Sequence, residues 1–285
     1  MNKILEGKTA LITGSSQGIG KALAIGFAKM GANIIITGRN QENMEKTLLQ
    51  VEEKGVKGII VPGNVQNYDE VQNIIKIGKE NFAHIDILVN NAGFSRLKPI
   101  HKMRVEQFEN ILKTNVLGVY NCSHAIVPHM MEIGGGTIVN TGSAIISSPG
   151  PRWSAYSMSK SALLGFTESL GIELKGNKIN VNTIMPGPVN TPLFRMGMTE
   201  DMIKAIGPMA PEDLVPYYAF FASEKGKKVT GLNVDMNICK SILEMGENLT
   251  QWSELKEIAQ EKLKPELFKE VKKYRKLLDF ILKNK

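Results

Sequence analysis

Short apolar segments rich in isoleucine and valine recur along the chain, separated by longer stretches with the spacing of helices. The segments are TALIT (9–13), NIIIT (33–37), GIIV (58–61), IDILVN (85–90), TIVNT (137–141), INVNTIM (179–185) and LNVDM (232–236). Continuously apolar strands that alternate with helices are typical of a parallel sheet covered on both faces. The pattern therefore predicts an α/β fold with a doubly wound parallel seven-stranded sheet, in a single domain over residues 1–240.

Residues 241–285 depart from this alternation and predict a helical, lysine-rich C-terminal extension. Ser253 is a candidate N-cap for one helix, and Pro265 suits the first position of a second. The second helix has an apolar seam formed by Leu267, Val271, Tyr274, Leu278 and Ile281. So short a seam needs a surface to bury it, which is the chain's own domain, a neighbouring subunit or an anionic membrane. We expect docking on protein rather than on a membrane.

Composition and charge exclude several classes of function. With 285 residues, 42% hydrophobic and 22% charged, the chain can bury one substantial core. The N-terminus lacks an apolar leader, and no run approaches the roughly 18 apolar residues of a membrane span, so we expect a cytoplasmic protein. Most of the net charge of +7 falls between Lys262 and Lys285, where nine Lys or Arg face three acids. Nucleic-acid binding is therefore not expected, and two cysteines and four histidines suggest no metal site.

A glycine-rich turn, TGSSQGIG (13–20), follows the first predicted strand. Glycines at a strand-to-helix turn allow positive φ and close approach of a pyrophosphate, while the helix N-terminus supplies free N–H groups. Gly14, Gly18 and Gly20 fit the general dinucleotide fingerprint only loosely. The same turn also satisfies G-x-S-x-G, the nucleophile elbow of a hydrolase with Ser16 as nucleophile. That alternative is disfavoured, because the turn follows the first strand and no histidine comes after His129.

A tyrosine and a lysine stand four residues apart in YSMSK (156–160). Ser154 is a candidate N-cap for a helix that begins near Ala155, and Met158 is expected in the core. The predicted buried side of this helix comprises Ala162, Leu163, Phe166, Leu170 and Leu174. Tyr156 and Lys160 then lie one turn apart on the same face. Taken alone, the pair fits an ordinary surface pair as well as a catalytic one.

Several separate segments agree in their order along the chain. They are TGSSQGIG (13–20), NNAG (90–93), KTNVLG (113–118), NTGSA (140–144), YSMSK (156–160) and PGPVNTP (186–192). Together they resemble the short-chain dehydrogenase/reductase family over residues 5–237. The resemblance implies a Rossmann-type fold, a nicotinamide cofactor and a catalytic tetrad of Asn115, Ser143, Tyr156 and Lys160. It also implies that Lys160 holds the nicotinamide ribose and that Asn115 holds a water linking Lys160 to solvent.

The spacing of Tyr156 and Lys160 has an energetic rationale. A tyrosine that exchanges protons near neutral pH needs its pKa lowered from about 10 by about three units, worth roughly 4 kcal/mol. A lysine ammonium about 4 Å away contributes about 4 kcal/mol at an effective dielectric constant of about 20. We therefore expect Lys160 to lower the pKa of Tyr156, which acts as general acid and base while Ser143 hydrogen-bonds the substrate oxygen.

The resemblance also nominates cofactor-binding residues. They are Gly14, Ser16, Gly18, Ile19, Gly20, Arg39, Asn64, Val65, Asn91, Ala92, Gly93, Tyr156, Lys160, Pro186, Gly187, Val189 and Thr191. Arg39 stands near the end of the second strand, where an acid binds a ribose 2′-hydroxyl and a cation accommodates the 2′-phosphate of NADP. We therefore expect NADP(H) rather than NAD(H), with a solvated surface arginine as the alternative. Asn64 departs from the aspartate usual in the family, although its side-chain oxygen can still accept a bond from adenine.

The substrate is predicted from loop positions. Those expected to face it are Phe94, Ile145, Trp153, Leu193, Phe194, Met196 and Met198, and most are apolar. They favour a ketone or alcohol with a bulky hydrophobic group. The alternatives are a 3-oxoacyl thioester reductase and, from another class, a catalytically idle dinucleotide-binding scaffold. We expect a homodimer or a homotetramer.

Overall fold

A computed structural model describes residues 3–245 and 251–283, so residues 246–250 and 284–285 of the predicted extension lie outside it. Its strands are β1 Thr9–Thr13, β2 Asn33–Thr37, β3 Gly58–Ile60, β4 Ile87–Asn90, β5 Gly136–Thr141, β6 Ile179–Met185 and β7 Leu232–Asp235. All pair in parallel, in the order β3-β2-β1-β4-β5-β6-β7. The predicted seven-stranded Rossmann-type sheet is confirmed, and every predicted strand coincides with an observed one to within two residues.

Alternate residues of the central strands pack on opposite faces of the sheet. Ala10 and Ile12 of β1 belong to one apolar cluster, whereas Leu11 between them belongs to the other. In β2, Ile35 is separated in the same way from its two neighbours. Because successive side chains of a strand point to opposite faces, both faces need a cover of helices. This two-sided burial explains the unbroken apolar runs at the centres of β1 and β2.

Helices supply both covers. They are α1 Gly18–Lys29, α2 Gln41–Glu52, α3 Tyr68–Phe82, α4 Val105–Leu112, α5 Gly118–Glu132, α6 Ser154–Glu173, α7 Pro192–Arg195, α8 Glu200–Ile206, α9 Val215–Ala222, α10 Met236–Met245, α11 Trp252–Lys262, α12 Pro265–Lys273 and α13 Arg275–Leu282. From β1 the chain moves outward to β2 and β3, and it then crosses back to β4 on the other side of β1. Ligands bind in sheets of this kind at such a reversal, beyond the carboxyl ends of the strands.

Helix α6 carries the YSMSK segment, and it differs from the prediction in two respects. Trp153 occupies the N-cap position and Ser154 is the first helical residue, so the predicted Ser154 cap is wrong. Met158 is 55% exposed instead of lying in the core. Of the predicted buried side, Leu163 and Leu174 are buried, Phe166 and Leu170 are half-buried, and Ala162 is exposed. Small and polar residues, Ser159 and Thr167 among them, occupy buried positions instead.

The C-terminal extension packs against its own domain. Val271, Tyr274, Leu278 and Ile281 of the predicted seam are buried in the apolar cluster that also contains β1 residues, whereas Leu267 remains 38% exposed. The extension lies against α9, in which seven of the eight residues are buried. A helix that is apolar on all sides needs such an outer cover.

The helices of the extension begin and end at other residues than predicted. The chain turns at Tyr274, where φ is −88° and ψ is 0°, so the single helix predicted from Pro265 is in fact α12 followed by α13. Helix α11 begins at Trp252 with Gln251 as its N-cap, and the predicted cap at Ser253 is wrong. Within the described residues, no helix has the length and apolar composition to cross a bilayer. The cytoplasmic location stays a prediction.

Candidate active site

A cavity of about 430 Å³ opens at the carboxyl ends of the strands. The predicted site residues that line it are Gly14, Ser16, Gly18, Ile19, Arg39, Asn64, Val65, Asn91, Ala92, Gly93, Ser143, Tyr156, Lys160, Pro186, Gly187, Val189 and Thr191. They come from turns after six of the strands, which the topology gathers at one edge of the sheet. Two predicted residues, Gly20 and Asn115, lie behind the wall of this cavity and support it.

The glycine-rich turn brings β1 and α1 into close contact. Gly14 and Gly18 have φ values of 65° and 55°, which favour glycine. A Cβ atom on Gly20 would lie 2.4 Å from the carbonyl oxygen of Gly14 and 2.5 Å from Nδ2 of Asn91. Gly20 therefore allows close packing of the turn, and its predicted contact with a cofactor stays a prediction.

The start of α1 suits an anionic group. Gln17 at its N-cap makes no capping hydrogen bond through its side chain, and the first turn carries no acidic residue. Backbone N–H groups at a helix N-terminus, with the positive end of the helix dipole, bind phosphates well. The first turn of α1 and the glycine cradle before it thus fit the pyrophosphate of a dinucleotide.

The loop after β4 is fixed to the glycine-rich turn. The N–H groups of Asn91 and Ala92 both donate to Oγ1 of Thr13, each at 2.9 Å. Nδ2 of Asn91 also donates to the carbonyl of Thr13 at 2.9 Å and to that of Gly14 at 3.3 Å. The two loops therefore form one rigid wall. Thr13 was not among the predicted site residues, although it begins the motif that predicted the turn.

Asn115 lies in a π-helical stretch, Lys113–Leu117, between α4 and α5. Such widened turns occur often at functional sites. The fully buried Asn115 accepts a hydrogen bond from the N–H of Phe94 at 3.0 Å and donates to the carbonyl of the same residue at 3.0 Å and to Ser159 Oγ at 2.9 Å. A Cβ atom on Gly93 would lie 3.2 Å from Asn115 Oδ1 and 3.5 Å from Lys160 Nζ. The asparagine thus supports the floor of the site next to the lysine.

Ser143, Tyr156 and Lys160 meet on the wall between β5 and α6. Ser143 and Tyr156 both line the cavity, and the Ser143 hydroxyl acts on Tyr156 to lower its pKa. Lys160 Nζ donates to the carbonyl of Thr141 at 2.6 Å and lies 5.7 Å from the centre of the Tyr156 ring. Lys160 is buried, which rules out the alternative of an ordinary surface pair. Thr141 was not predicted, because a backbone acceptor leaves no trace in residue type.

The protonation of this group differs from the expectation. Burial raises the pKa of Tyr156 to about 12, and the hydrogen bond from Ser143 opposes that rise. Burial also lowers the pKa of Lys160 to about 8. The expected lowering of the pKa of Tyr156 by Lys160 is therefore wrong for this structure. Loss of hydration outweighs attraction here, and it disfavours the charged form of both groups.

The far end of the cavity carries positive charge and polar groups. Arg39 is exposed at the end of β2 and lines the cavity near Ser16. Asn64 Oδ1 accepts a hydrogen bond from the N–H of Gln66 at 3.2 Å, which leaves one lone pair for adenine. In the part of the chain that the structure describes, no Asp, Glu or His lines this cavity. Ser16 thus lacks the histidine base that the hydrolase alternative requires.

The opposite end of the cavity is largely apolar. The predicted substrate-facing residues that line it are Phe94, Ile145, Trp153, Leu193 and Phe194. Met196 and Met198 are not part of this lining, and Met196 is 54% exposed, so their predicted place is wrong. Asn237, in the first turn of α10, lines the cavity although it was not predicted. Its position directly after the predicted seventh strand could have identified it as a cavity residue from the sequence.

Comparisons with known proteins agree with this geometry. A family profile described as short chain dehydrogenase matches residues 8–201. The oxidoreductase YhxC of Bacillus subtilis is 34% identical over 82% of this chain and 85% of its own length. The 3-oxoacyl-[acyl-carrier-protein] reductase FabG of Staphylococcus aureus is 32% identical over 81% of this chain and 96% of its own.

A solved structure shares both the fold and part of the sequence. The 3-ketoacyl-(acyl-carrier-protein) reductase of Brucella melitensis, crystallised with NADH, superimposes with a TM-score of 0.76 at 31% identity. The superposition covers 81% of this chain and 97% of that one. With the glycine-rich turn and the Ser–Tyr–Lys wall at the ends of the same sheet, these matches show that the chain belongs to the short-chain dehydrogenase/reductase family of oxidoreductases.

Proposed function

We propose that this chain is an NADP(H)-dependent oxidoreductase that interconverts a ketone and a secondary alcohol on a bulky, largely apolar substrate. The observation that carries the proposal is that the hydroxyl-bearing side chains of Ser143 and Tyr156 line the same cavity as the apolar residues Phe94, Ile145 and Trp153. Two hydroxyl groups that meet in this way can both bind one carbonyl oxygen. Preorganised donors aimed at developing negative charge are a major source of rate enhancement.

In the reductive direction, Tyr156 donates its hydroxyl proton to the carbonyl oxygen while Ser143 hydrogen-bonds the same oxygen. When bound, the nicotinamide supplies the hydride that adds to the carbonyl carbon. A pKa of about 12 keeps the Tyr156 hydroxyl protonated at neutral pH, as a proton donor must be. Lys160, with a pKa near 8, gains and loses its proton close to neutral pH and is suited to replace the proton that Tyr156 gives up.

The residues that would hold the dinucleotide are the glycine cradle with the start of α1, the Asn91 loop and Lys160. Preference for NADP(H) rests on Arg39 beside the cavity and on the lack of an acidic side chain among its described lining residues. A ribose 2′-phosphate needs a cation, whereas an acid at this place selects the free hydroxyl. NAD(H) is the less favoured cofactor.

A 3-oxoacyl thioester reductase is the second candidate. It is favoured by the name of the Staphylococcus aureus relative, a 3-oxoacyl-[acyl-carrier-protein] reductase. The two candidates share the carbonyl chemistry and differ in the group attached to the carbonyl. A catalytically idle dinucleotide-binding scaffold is disfavoured, because Ser143, Tyr156 and Lys160 all lie on one wall.

One experiment separates the three. The purified chain is mixed with NADPH or NADH and with a panel of aliphatic, aromatic and cyclic ketones and a 3-oxoacyl thioester, and cofactor oxidation is followed by absorbance. We expect the fastest oxidation with NADPH and a bulky ketone. Faster turnover of the thioester than of every ketone would favour the second candidate. Binding of NADPH without any oxidation would favour the scaffold.

A homo-oligomer, either a dimer or a tetramer, is also proposed. Three apolar side chains on α5 and α6 are exposed by about half or more: Tyr120 of α5 at 50%, and Met158 and Ile172 of α6 at 55% and 77%. Apolar side chains exposed together often mark a protein interface. Light scattering on the full chain tests the assembly, and substitution of Ile172 by Lys should weaken it if these helices form the contact.

A further inference from the structure

The turn that carries Ser143 is anchored at its far end by a carboxylate from another strand. Ser143 precedes a single 3₁₀ turn, Ala144–Ile146, and Ser147 follows it. The first N–H of this turn donates to the carbonyl of Pro186 at 2.8 Å. Beyond the turn, Ser147 Oγ donates to Oδ2 of Asp235 at 2.6 Å. The position of the serine therefore depends on β7, 88 residues later in the chain.

Asp235 joins two walls of the cavity. It is the last residue of β7 and is only 3% exposed. Its Oδ2 binds Ser147, and its Oδ1 accepts from the N–H of Asn237 at 2.9 Å. Hydrogen bonds to a carboxylate are short and about twice as strong as those between neutral groups. One buried side chain thus sets both the Ser143 turn and the first turn of α10, whose Asn237 lines the cavity.

A tyrosine of the C-terminal extension holds the backbone around Asp235. The Tyr274 hydroxyl lies 3.1 Å from the carbonyl oxygen of Asn233 and 3.2 Å from Oε1 of Glu270, and it can donate to only one of them at a time. The N–H of Asp235 in turn points at the same hydroxyl at 3.5 Å. Tyr274 is 2% exposed and stands where α12 ends and α13 begins. Its hydroxyl therefore bridges the extension and the end of β7.

We propose that Asp235 is a positioning residue for the reaction, which acts on Ser143 through Ser147, and that Tyr274 fixes the backbone of Asp235 in this role. The catalytic part of this proposal rests on the proposed function of Ser143. The C-terminal extension is accordingly tied to the catalytic geometry even though none of its described residues lines the cavity. Misplacement of a catalytic group by about 1 Å is enough to reduce turnover about 100-fold.

Ser147 offers the cleanest test, because it is exposed and lies outside the cavity lining. Ser147→Ala removes the hydroxyl without opening a cavity in the core, and Ser147→Thr restores it. We expect kcat to fall between about 10- and 100-fold in the alanine variant, with most of the activity regained in the threonine variant. The Kd for NADPH should stay unchanged in both, and the melting temperature should fall in the alanine variant and recover in the threonine variant, because only the alanine variant leaves the buried carboxylate without this donor. Ser169→Ala, which alters an exposed serine on α6 away from this turn, is the matched control.

Tyr274→Phe tests the second link, since it removes only the hydroxyl and keeps the buried ring. The expected loss of kcat is smaller than for Ser147→Ala, because the carboxylate itself remains. Tyr68→Phe is the matched control: it removes a tyrosine hydroxyl that hydrogen-bonds His124 at 2.7 Å, away from the cavity. Wild-type kcat is expected in the control.

Two readouts distinguish positioning from general stability. In the pH profile of kcat, the Tyr156 limb should move to higher pH in Ser147→Ala, because a displaced Ser143 no longer opposes the effect of burial on that hydroxyl. In hydrogen exchange without substrate, the amides of Ser147 and Ser148, which both donate to the carbonyl of Ala144, should exchange faster in Ser147→Ala and Tyr274→Phe. Neither change is expected in the controls.

Each outcome of these experiments either supports or overturns the proposal. Lower kcat, a shifted pH limb and faster exchange, with rescue by threonine, support the proposal. Wild-type kcat or unchanged exchange in Ser147→Ala overturns it. If the wild-type chain reduces no compound of the panel, the proposed function fails, while exchange still decides whether β7 and Tyr274 hold the turn. If Tyr274→Phe fails to fold, the role of that hydroxyl is one of stability, and its part of the proposal is overturned.

Discussion

The two halves of the cavity are built from different kinds of contact. The half after β1 and β4 is made of backbone in close approach, with Gly20 against the Gly14 carbonyl and two consecutive N–H groups on Thr13. The half after β5, β6 and β7 depends on pairs of ordinary side chains, such as Ser147 with Asp235. Close backbone approach admits only certain residue types and therefore leaves a motif. A serine paired with an aspartate leaves none, because both residues are common everywhere.

Substitution of Tyr156 by Phe should have the largest effect on turnover. It should act only on the half of the cavity after β5, β6 and β7. The change removes the transferable proton and keeps the ring beside Trp153, whose centre lies 5.5 Å away. We expect kcat to fall between about 100- and 10,000-fold, with an unchanged Kd for NADPH measured by cofactor fluorescence. Turnover close to that of the wild type would remove Tyr156 from its proposed role.

Arg39→Asp tests the part of the cavity at the end of β2, where the nucleotide is proposed to bind. Loss of a charged hydrogen bond to a phosphate costs roughly 1.5–3 kcal/mol, so the ratio of kcat/KM for NADPH to that for NADH should fall at least about 10-fold. Lys76→Asp makes the same charge change on an exposed face of α3 and serves as control. An unchanged ratio in Arg39→Asp would mean that another group determines the preference between NADPH and NADH.

A pair of glycine substitutions measures how far backbone contact limits residue choice. In Gly20→Ala the new Cβ would meet the Gly14 carbonyl oxygen at 2.4 Å, and we expect a loss of about 1–3 kcal/mol in the free energy of unfolding. Gly165 lies within helix α6, where a new Cβ would meet no atom within 4 Å beyond the backbone of the helix itself. We expect Gly165→Ala to raise the free energy of unfolding by about 0.4–1 kcal/mol. Urea denaturation of both variants checks the opposite signs. Equal effects would contradict the argument.

The smallest effect is expected outside both halves, at His129. Its Nε2 accepts a hydrogen bond from the N–H of Ile85 at 3.0 Å, and burial, with the nearby Lys79, lowers its pKa below the ordinary value of 6.5, while Glu132 opposes the shift. Because the pKa of His129 is lower in the folded chain, the unfolded chain binds the proton first as the pH falls. The contribution of the neutral His129 to the free energy of unfolding is therefore complete above pH 6.5 and is lost as the pH falls below that value.

Urea denaturation at pH 7 and at pH 5 tests this dependence. His129→Gln should show a weaker fall in stability between the two pH values than the wild type. His124→Gln changes a histidine of the same helix and should keep the wild-type dependence. An identical fall in all three chains would show that His129 is not the group that titrates.

The same contrast explains what the sequence could predict. All seven strands were found because burial on both faces of the sheet favours short runs rich in isoleucine and valine. Gly14, Gly18 and Arg39 line the cavity, and the two glycines left a motif because their positive φ favours that residue type. The role of Arg39 in cofactor choice stays a prediction. Prediction failed where buried residues are polar and therefore leave no hydropathy signal. The buried positions of α6 include Ser159 and Thr167, which hydropathy does not mark, because they bond Asn115 and Thr183 inside the protein.

Two further failures have the same origin in tertiary structure. The break between α12 and α13 falls within an unbroken apolar seam, and the chain turns there as the Tyr274 hydroxyl reaches β7. The pKa of Tyr156 was expected to fall, because spacing along a helix gives the distance to Lys160 but not the loss of hydration around both groups. Burial is set by the whole fold and cannot be read from a four-residue interval.

The burial of seven of the eight residues of α9 has a consequence for how the protein is made. Its aromatic residues, Tyr217, Tyr218, Phe220 and Phe221, lie in one cluster with Ala10 of β1 and with Leu277 and Leu278 of the final helix. During synthesis the N-terminal partners emerge first, and the last cover of α9 is still inside the ribosome when the sheet is already complete. This face of the nascent chain stays open until α13 has emerged, and exposed apolar surface of this kind is prone to aggregation.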